Sequence, residues 1–149
     1  MKNLRVRFSP YGFLIVLLQA LPNIAWVLYP PTPNALAGNV SSIALVEYGE
    51  HILGVLIVVL LLFLVNQAQT RVPRSAWAIA GFICIALYWG CWALYFAGIQ
   101  PKPLIYAMVL LPPVAFFSVG VAEKVWPIPV ASALFLLFHL AVALENYPL

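Results

Sequence analysis

Glu47, Glu50 and His51 fall within five residues of one another, inside an apolar run from Ser42 to Val65 that is long enough to cross a bilayer. Ionisable groups at that depth are costly, so they mark a functional site unless they pair structurally. At ~100° per residue, positions 47, 50, 51, 54 and 58 share one helical face. Two carboxyls and an imidazole on such a face can bind a metal, orient an organic ligand or move a proton. Glu47 or Glu50 with His51, completed by His139 from a later run, would supply mixed O/N donors suited to a divalent ion such as zinc. His51 and His139, the two histidines of the chain, could instead serve as axial ligands of a haem. An organic ligand would be enclosed by aromatic faces and oriented by Glu50 or His51, an arrangement suited to proton-coupled binding or general acid–base work. No serine stands in an evident Ser-His-acid arrangement. No phosphate loop, dinucleotide fingerprint or nucleic-acid module is present.

The elements that must hold these groups are membrane spans. The chain has 149 residues, 65% hydrophobic and only 7% charged, where a soluble domain carries ~25% charged residues. Its mean hydropathy is +1.04. Five runs reach the ~20 residues a crossing needs, at roughly 11–29, 42–65, 75–98, 103–122 and 127–146. Proline-rich or polar breaks separate them: Pro30-Pro31-Thr32-Pro33-Asn34, the segment 66–74, Gln100-Pro101-Lys102-Pro103, and Glu123-Lys124 with Pro127 and Pro129. The expected fold is an all-α integral membrane bundle of five transmembrane helices, a single domain over residues 1–149 with the lipid bilayer as its first partner. The basic N-terminus ahead of an apolar stretch has the outline of a leader peptide. No small-x-small cleavage site follows, so this stretch reads as the first span. Cys84 and Cys91 lie two helical turns apart, ~10 Å along an axis, too far for a disulfide. They read as small core residues.

Basic residues orient the bundle. Lys2, Arg5, Arg7, Arg71, Arg74 and Lys124 fall on one side of five spans, and Lys102 alone on the other. The excess of basic residues on cytoplasmic loops then implies N-terminus in and C-terminus out, with a bacterial cytoplasmic membrane as the expected home. Depth follows at ~1.5 Å per residue. Glu47, Glu50 and His51 lie in the outer half of span two and His139 in the outer half of span five. Gln19, Asn23 and Trp26 share a face of span one. Cys84, Tyr88, Cys91, Trp92 and Tyr95 form a stripe on span three. The inner half is almost wholly Leu, Val, Ile and Phe. The convergence predicts an outward-facing polar and aromatic pocket built from Glu47, Glu50, His51, Asn23, Trp26, Tyr88, Trp92 and His139. Their structural alternatives are a Glu47–Lys102 pair at the interface and a Glu50–His51 clamp between helices.

Five short spans with a heavy aromatic load resemble, in outline, the tryptophan-rich sensory protein/translocator family, whose Trp- and Pro-bearing motifs are not found here. The run Leu21-Pro22-Asn23-Ile24-Ala25-Trp26, with Pro30-Pro31 and Glu47, is similar to small bacterial membrane proteins. These resemblances imply an architecture and no activity. The function expected from the residues is binding, with movement as an extension, of a small molecule in the outward pocket. A metal-dependent membrane enzyme and an accessory subunit docking a membrane partner are the alternatives, and five helices suit a homo-oligomer. A cysteine introduced at Asn34 should react with an impermeant thiol reagent in intact cells. Labelling only after lysis reverses the orientation.

Overall fold

The computed structural model describes residues 3–68 and 74–148, so Lys2 and Arg71 lie outside the described residues. Five helices follow one another: α1 (Pro10–Leu28), α2 (Ala44–Phe63), α3 (Ala76–Phe96), α4 (Lys102–Glu123) and α5 (Pro127–Asn146). Each is long and apolar enough to cross a membrane. The chain is a helical, multi-pass integral membrane protein, with span limits within a few residues of those read from hydropathy. Two three-residue strands, β1 (Leu4–Val6) and β2 (Leu64–Asn66), pair antiparallel with Leu4 opposite Asn66. They form a ribbon where α1 begins and α2 ends. At this ribbon end lie Arg5, Arg7, Arg74 and Lys124. Lys102 lies at the other end, where the connection 29–43 caps the bundle.

Local chemistry sets the helix limits. The Ser9 hydroxyl accepts the Gly12 N–H at 2.9 Å and Pro10 follows at the first helical position, where its missing N–H costs nothing. Ser75 caps α3 in the same way through Ala78 N–H. Lys124 closes α4 in the left-handed region, φ 57°, its N–H returning to Gly120 and Val121 carbonyls, and the chain turns directly into α5 at Pro127.

The helices form a ring in the order α1, α2, α5, α4, α3, with a thinner contact from α3 back to α1. α4 is the most buried. α1 and α2 cross closely at Gly12, where a Cβ would stand 1.8 Å from the Leu61 carbonyl oxygen. Any side chain there would push the two backbones apart. Two apolar clusters fill the interior. The ribbon-end cluster joins all five helices, with Ile15, Ile57, Ile85, Val119 and Ile128 among its members. The cap-end cluster centres on Tyr88, Trp92, Tyr95, Ile105 and Met108.

Prolines inside the spans are accommodated. α4 runs helical through Pro112 and Pro113. In α1, Pro22 removes the N–H that would bond the Leu18 carbonyl. The Trp89 indole of α3 supplies the replacement, Nε1–H donating to Leu18 O at 2.8 Å. Hydrocarbon offers no water to do this, so a neighbouring helix must. Trp89→Phe should therefore lower stability by about 1 kcal/mol in reversible unfolding from detergent. In a Pro22→Ala background, where the backbone N–H returns, the same change should cost little.

Candidate functional site

On α2 the buried residues are Ile57 and Leu61, and their stripe continues through Gly54 to Glu50. The Glu50 carboxylate meets the His139 imidazole of α5, Oε1 to Nδ1 at 2.5 Å, both side chains mostly buried. Packing aims both groups. Gly49 leaves room for Phe138, whose ring would stand 2.5 Å from a Cβ at that position. The His139 ring lies flat on Phe135, centroids 4.9 Å apart at 17°. The pairing couples α2 to α5, as expected for a structural clamp, but through His139 and not through His51.

His51 corrects the sequence reading. Its side chain is 68% exposed on the outer surface of α2, with Tyr48, Ile52 and Val55. Successive residues differ by ~100° around the axis, so a face centred on Glu50 and Gly54 leaves His51 at its edge. His51 Nδ1 lies 3.7 Å from Glu47 Oε1. Glu47 itself accepts the Ser41 N–H at 2.7 Å, tying the first turn of α2, which has no side-chain cap, to the segment that precedes it. It does not pair with Lys102, whose Nζ donates to the Pro148 carbonyl at 2.5 Å.

The metal and haem sets do not assemble. Glu47, Glu50, His51 and His139 divide into two pairs. Among the described residues no three His, Cys, Asp or Glu side chains gather as ion ligands. His51 and His139 lie on different faces, so they cannot flank one haem. The donor geometry fits neither group.

On the other side of the ring, Asn23 and Tyr88 meet across α1 and α3. Asn23 Nδ2 donates to Tyr88 Oη at 2.9 Å, and the phenol returns a hydrogen bond to Asn23 Oδ1 at 3.3 Å. The expected aromatic stripe is present: Tyr88 and Trp92 pack edge to face at 6.1 Å, and Trp26 approaches Trp92 at 6.5 Å. The buried Trp92 indole N–H has no hydrogen-bond partner. One turn below Asn23, Gln19 is 4% exposed and neither atom of its carboxamide has a partner. Counted from the cap-end helix termini, Glu50, His139, Tyr88 and Gln19 lie ~9–14 Å deep. They form a polar layer at the inner edge of the cap-end cluster, to which Tyr88 itself belongs.

The cap closes over this layer. The Asn34 Oδ1 accepts from Trp26 Nε1 at 2.9 Å and from Tyr95 Oη at 2.6 Å. Tyr95 Oη in turn accepts the Leu36 N–H at 2.8 Å. Gln100 ties Ala35 N–H and the Pro33 carbonyl. Glu145 accepts from Ser41 Oγ at 2.6 Å and Ser42 N–H at 2.8 Å. Burial, and then the nearby Tyr95 phenol, holds the Tyr147 hydroxyl above its ordinary pKa. It stays protonated and donates to the Ala35 carbonyl at 2.6 Å. Sequence reasoning missed Asn34 and Gln100, which carry no pattern beyond being polar loop residues. The expected mouth is therefore a laced cover.

No protein-family model, curated protein or solved structure matches the chain, and the outline resemblance to the tryptophan-rich sensory protein family goes no further. Glu50→Gln should leave stability nearly intact, because Gln still bonds His139. Glu50→Ala should cost ~1 kcal/mol. His51→Ala should change stability by less than ~0.5 kcal/mol. Thermal melts of the three variants in one detergent check this ordering, and a large loss from His51→Ala would refute it.

Proposed function

We propose that this membrane protein binds a small polar organic molecule within the layer bounded by Gln19, Asn23, Tyr88 and Trp92 on one side and Glu50 and His139 on the other. The single observation behind the reading is Gln19. A buried carboxamide with neither donor nor acceptor engaged costs roughly 1–3 kcal/mol, and a ligand or trapped water must offset that. The ligand chemistry follows: a molecule presenting an acceptor to Gln19 Nε2 and a donor to Oε1, with a flat apolar part beside Trp92. Entry is through the cap, so exchange requires release of the Asn34 and Tyr95 contacts. We assign the cap end to the outside of a bacterial cytoplasmic membrane on the charge bias. Val40, 58% exposed, is a better labelling position for testing that assignment than the hydrogen-bonded Asn34.

A second reading rests on His51. An imidazole on the outer face of a span is costly in lipid, and α2 is the least buried of the five helices. An accessory role, with this face docked on a membrane partner, would cover it.

Gln19→Leu separates ligand binding from plain architecture. If a ligand serves the amide, organic extracts of purified wild-type protein should contain a small molecule at near one per chain. Gln19→Leu should lose it by tenfold or more. The ligand-free variant should melt no lower than ligand-free wild type, since the unmet amide is gone. A Gln19→Leu protein that is less stable, from a wild type that carries no compound, would make the amide structural.

A further inference from the structure

The outer seam between α2 and α5 opens toward the ribbon end into a groove of about 470 Å³. Leu53, Leu56 and Leu60 of α2 form one wall. Trp126, Val130 and Leu134 form the other. Trp126 and Val130 are among the more exposed large apolar side chains of the molecule, so the groove faces away from the interior. From Leu53 to Leu60 it extends ~10 Å along the helix axis, the direction in which acyl chains run. Its ribbon end is flanked by cations. Lys124 stands two residues before Trp126 and is exposed. Asn66 Nδ2 donates to the Lys124 carbonyl at 3.3 Å, which draws β2 to this turn, and β1 sets Arg5 opposite Val65. Arg7 follows at the end of β1. Arg5, Arg7 and Lys124 are all exposed, and among the described residues the only acid–base contacts are the two His–Glu pairs. None of these three cations is ion-paired with a carboxylate.

An apolar groove ending under unpaired cations complements a molecule with a long apolar tail and an anionic head. We infer that this groove holds one acyl chain of an anionic phospholipid, whose phosphate is bound by Lys124 and Arg5. A helix seated there would match the groove but leave the charges unanswered. A zwitterionic lipid would fill the groove with less gain at the head, since each basic residue near an anionic surface favours it about fivefold. The site lies outside the polar layer and stands independently of the proposed function.

Native mass spectrometry of the full chain released from micelles with equal phosphatidylglycerol and phosphatidylcholine of matched chains tests the assignment. Wild type should retain one phosphatidylglycerol at least fivefold over phosphatidylcholine. Arg5→Gln with Lys124→Gln should bring the ratio near one, and Val130→Trp should fill the groove and reduce retention of both lipids. As a check independent of folding changes, chain-brominated phosphatidylglycerol should quench wild-type fluorescence more than that of Trp126→Phe. Equal retention of the two lipids by wild type, an unchanged preference in the double variant, or equal quenching in Trp126→Phe would overturn the inference. So would a dimer mass that Val130→Trp abolishes, which would place a second copy of the chain in the groove.

Discussion

The contact between Glu50 and His139 sets how α2 lies against α5. In hydrocarbon neither group can be left alone, and no other described side chain takes either role. Sliding α2 by one turn would strand a carboxylate among leucines and drive Phe138 into a backbone that no longer has Gly49 to receive it. The same register carries Glu47 beneath Ser41, brings Glu145 beside Ser41 and Ser42, and lets Asn146 reach the Val40 carbonyl. The end of the cap nearest α2 is thus fixed by a pairing made about a third of the way into the span.

The rest of the interior follows a division of labour along the membrane normal. At the ribbon end, branched aliphatic side chains from all five helices interlock, and the backbones approach closely enough that Gly12 cannot carry a side chain. Toward the cap, packing passes to aromatic rings with hydroxyl and indole groups, whose polar atoms meet the connection 29–43. At the inner edge of this aromatic packing the chain tolerates Gln19, Asn23, Tyr88, Glu50 and His139 at a depth where each unmet polar atom is expensive. Of these five, all but Gln19 find side-chain partners on another helix, and the Trp92 indole N–H beside them is unpartnered too. A carboxamide with both donor and acceptor unmet is what distinguishes the layer from ordinary interhelical glue.

Much of this was legible in the sequence. Span number and limits follow from the length of the apolar runs and their proline breaks. The stripe of Tyr88, Trp92 and Tyr95 follows from helical periodicity. The partnership of Glu50 was half legible: depth predicts that it pairs, whereas the choice of His139 over His51 depends on rotation about α2, which a wheel centred on Glu47 misjudges by about a sixth of a turn. Arg5 to Val65 pairing was illegible, because three residues are too few to show an alternating pattern. The cap was illegible for another reason. Gln100 and Tyr147 act through backbone groups of a distant loop, and backbone groups leave no trace in residue type; Asn34 meets Trp26 and Tyr95 through a loop conformation that no periodicity announces.

The β1–β2 ribbon has a consequence for biogenesis. Its two strands flank the first two spans, so the N-terminal segment has no pairing partner until Leu64–Asn66 has been synthesised and delivered to the same face of the membrane. From that moment Arg7 N–H to Phe63 O and Ser9 N–H to Leu62 O can join the start of α1 to the end of α2. Chains fold from the N-terminus as they are made, so α1 and α2 can close into a latched hairpin before α3 emerges. The later spans would then assemble on a template whose tilt is already decided, with α5, the last to arrive, completing the ring against α2.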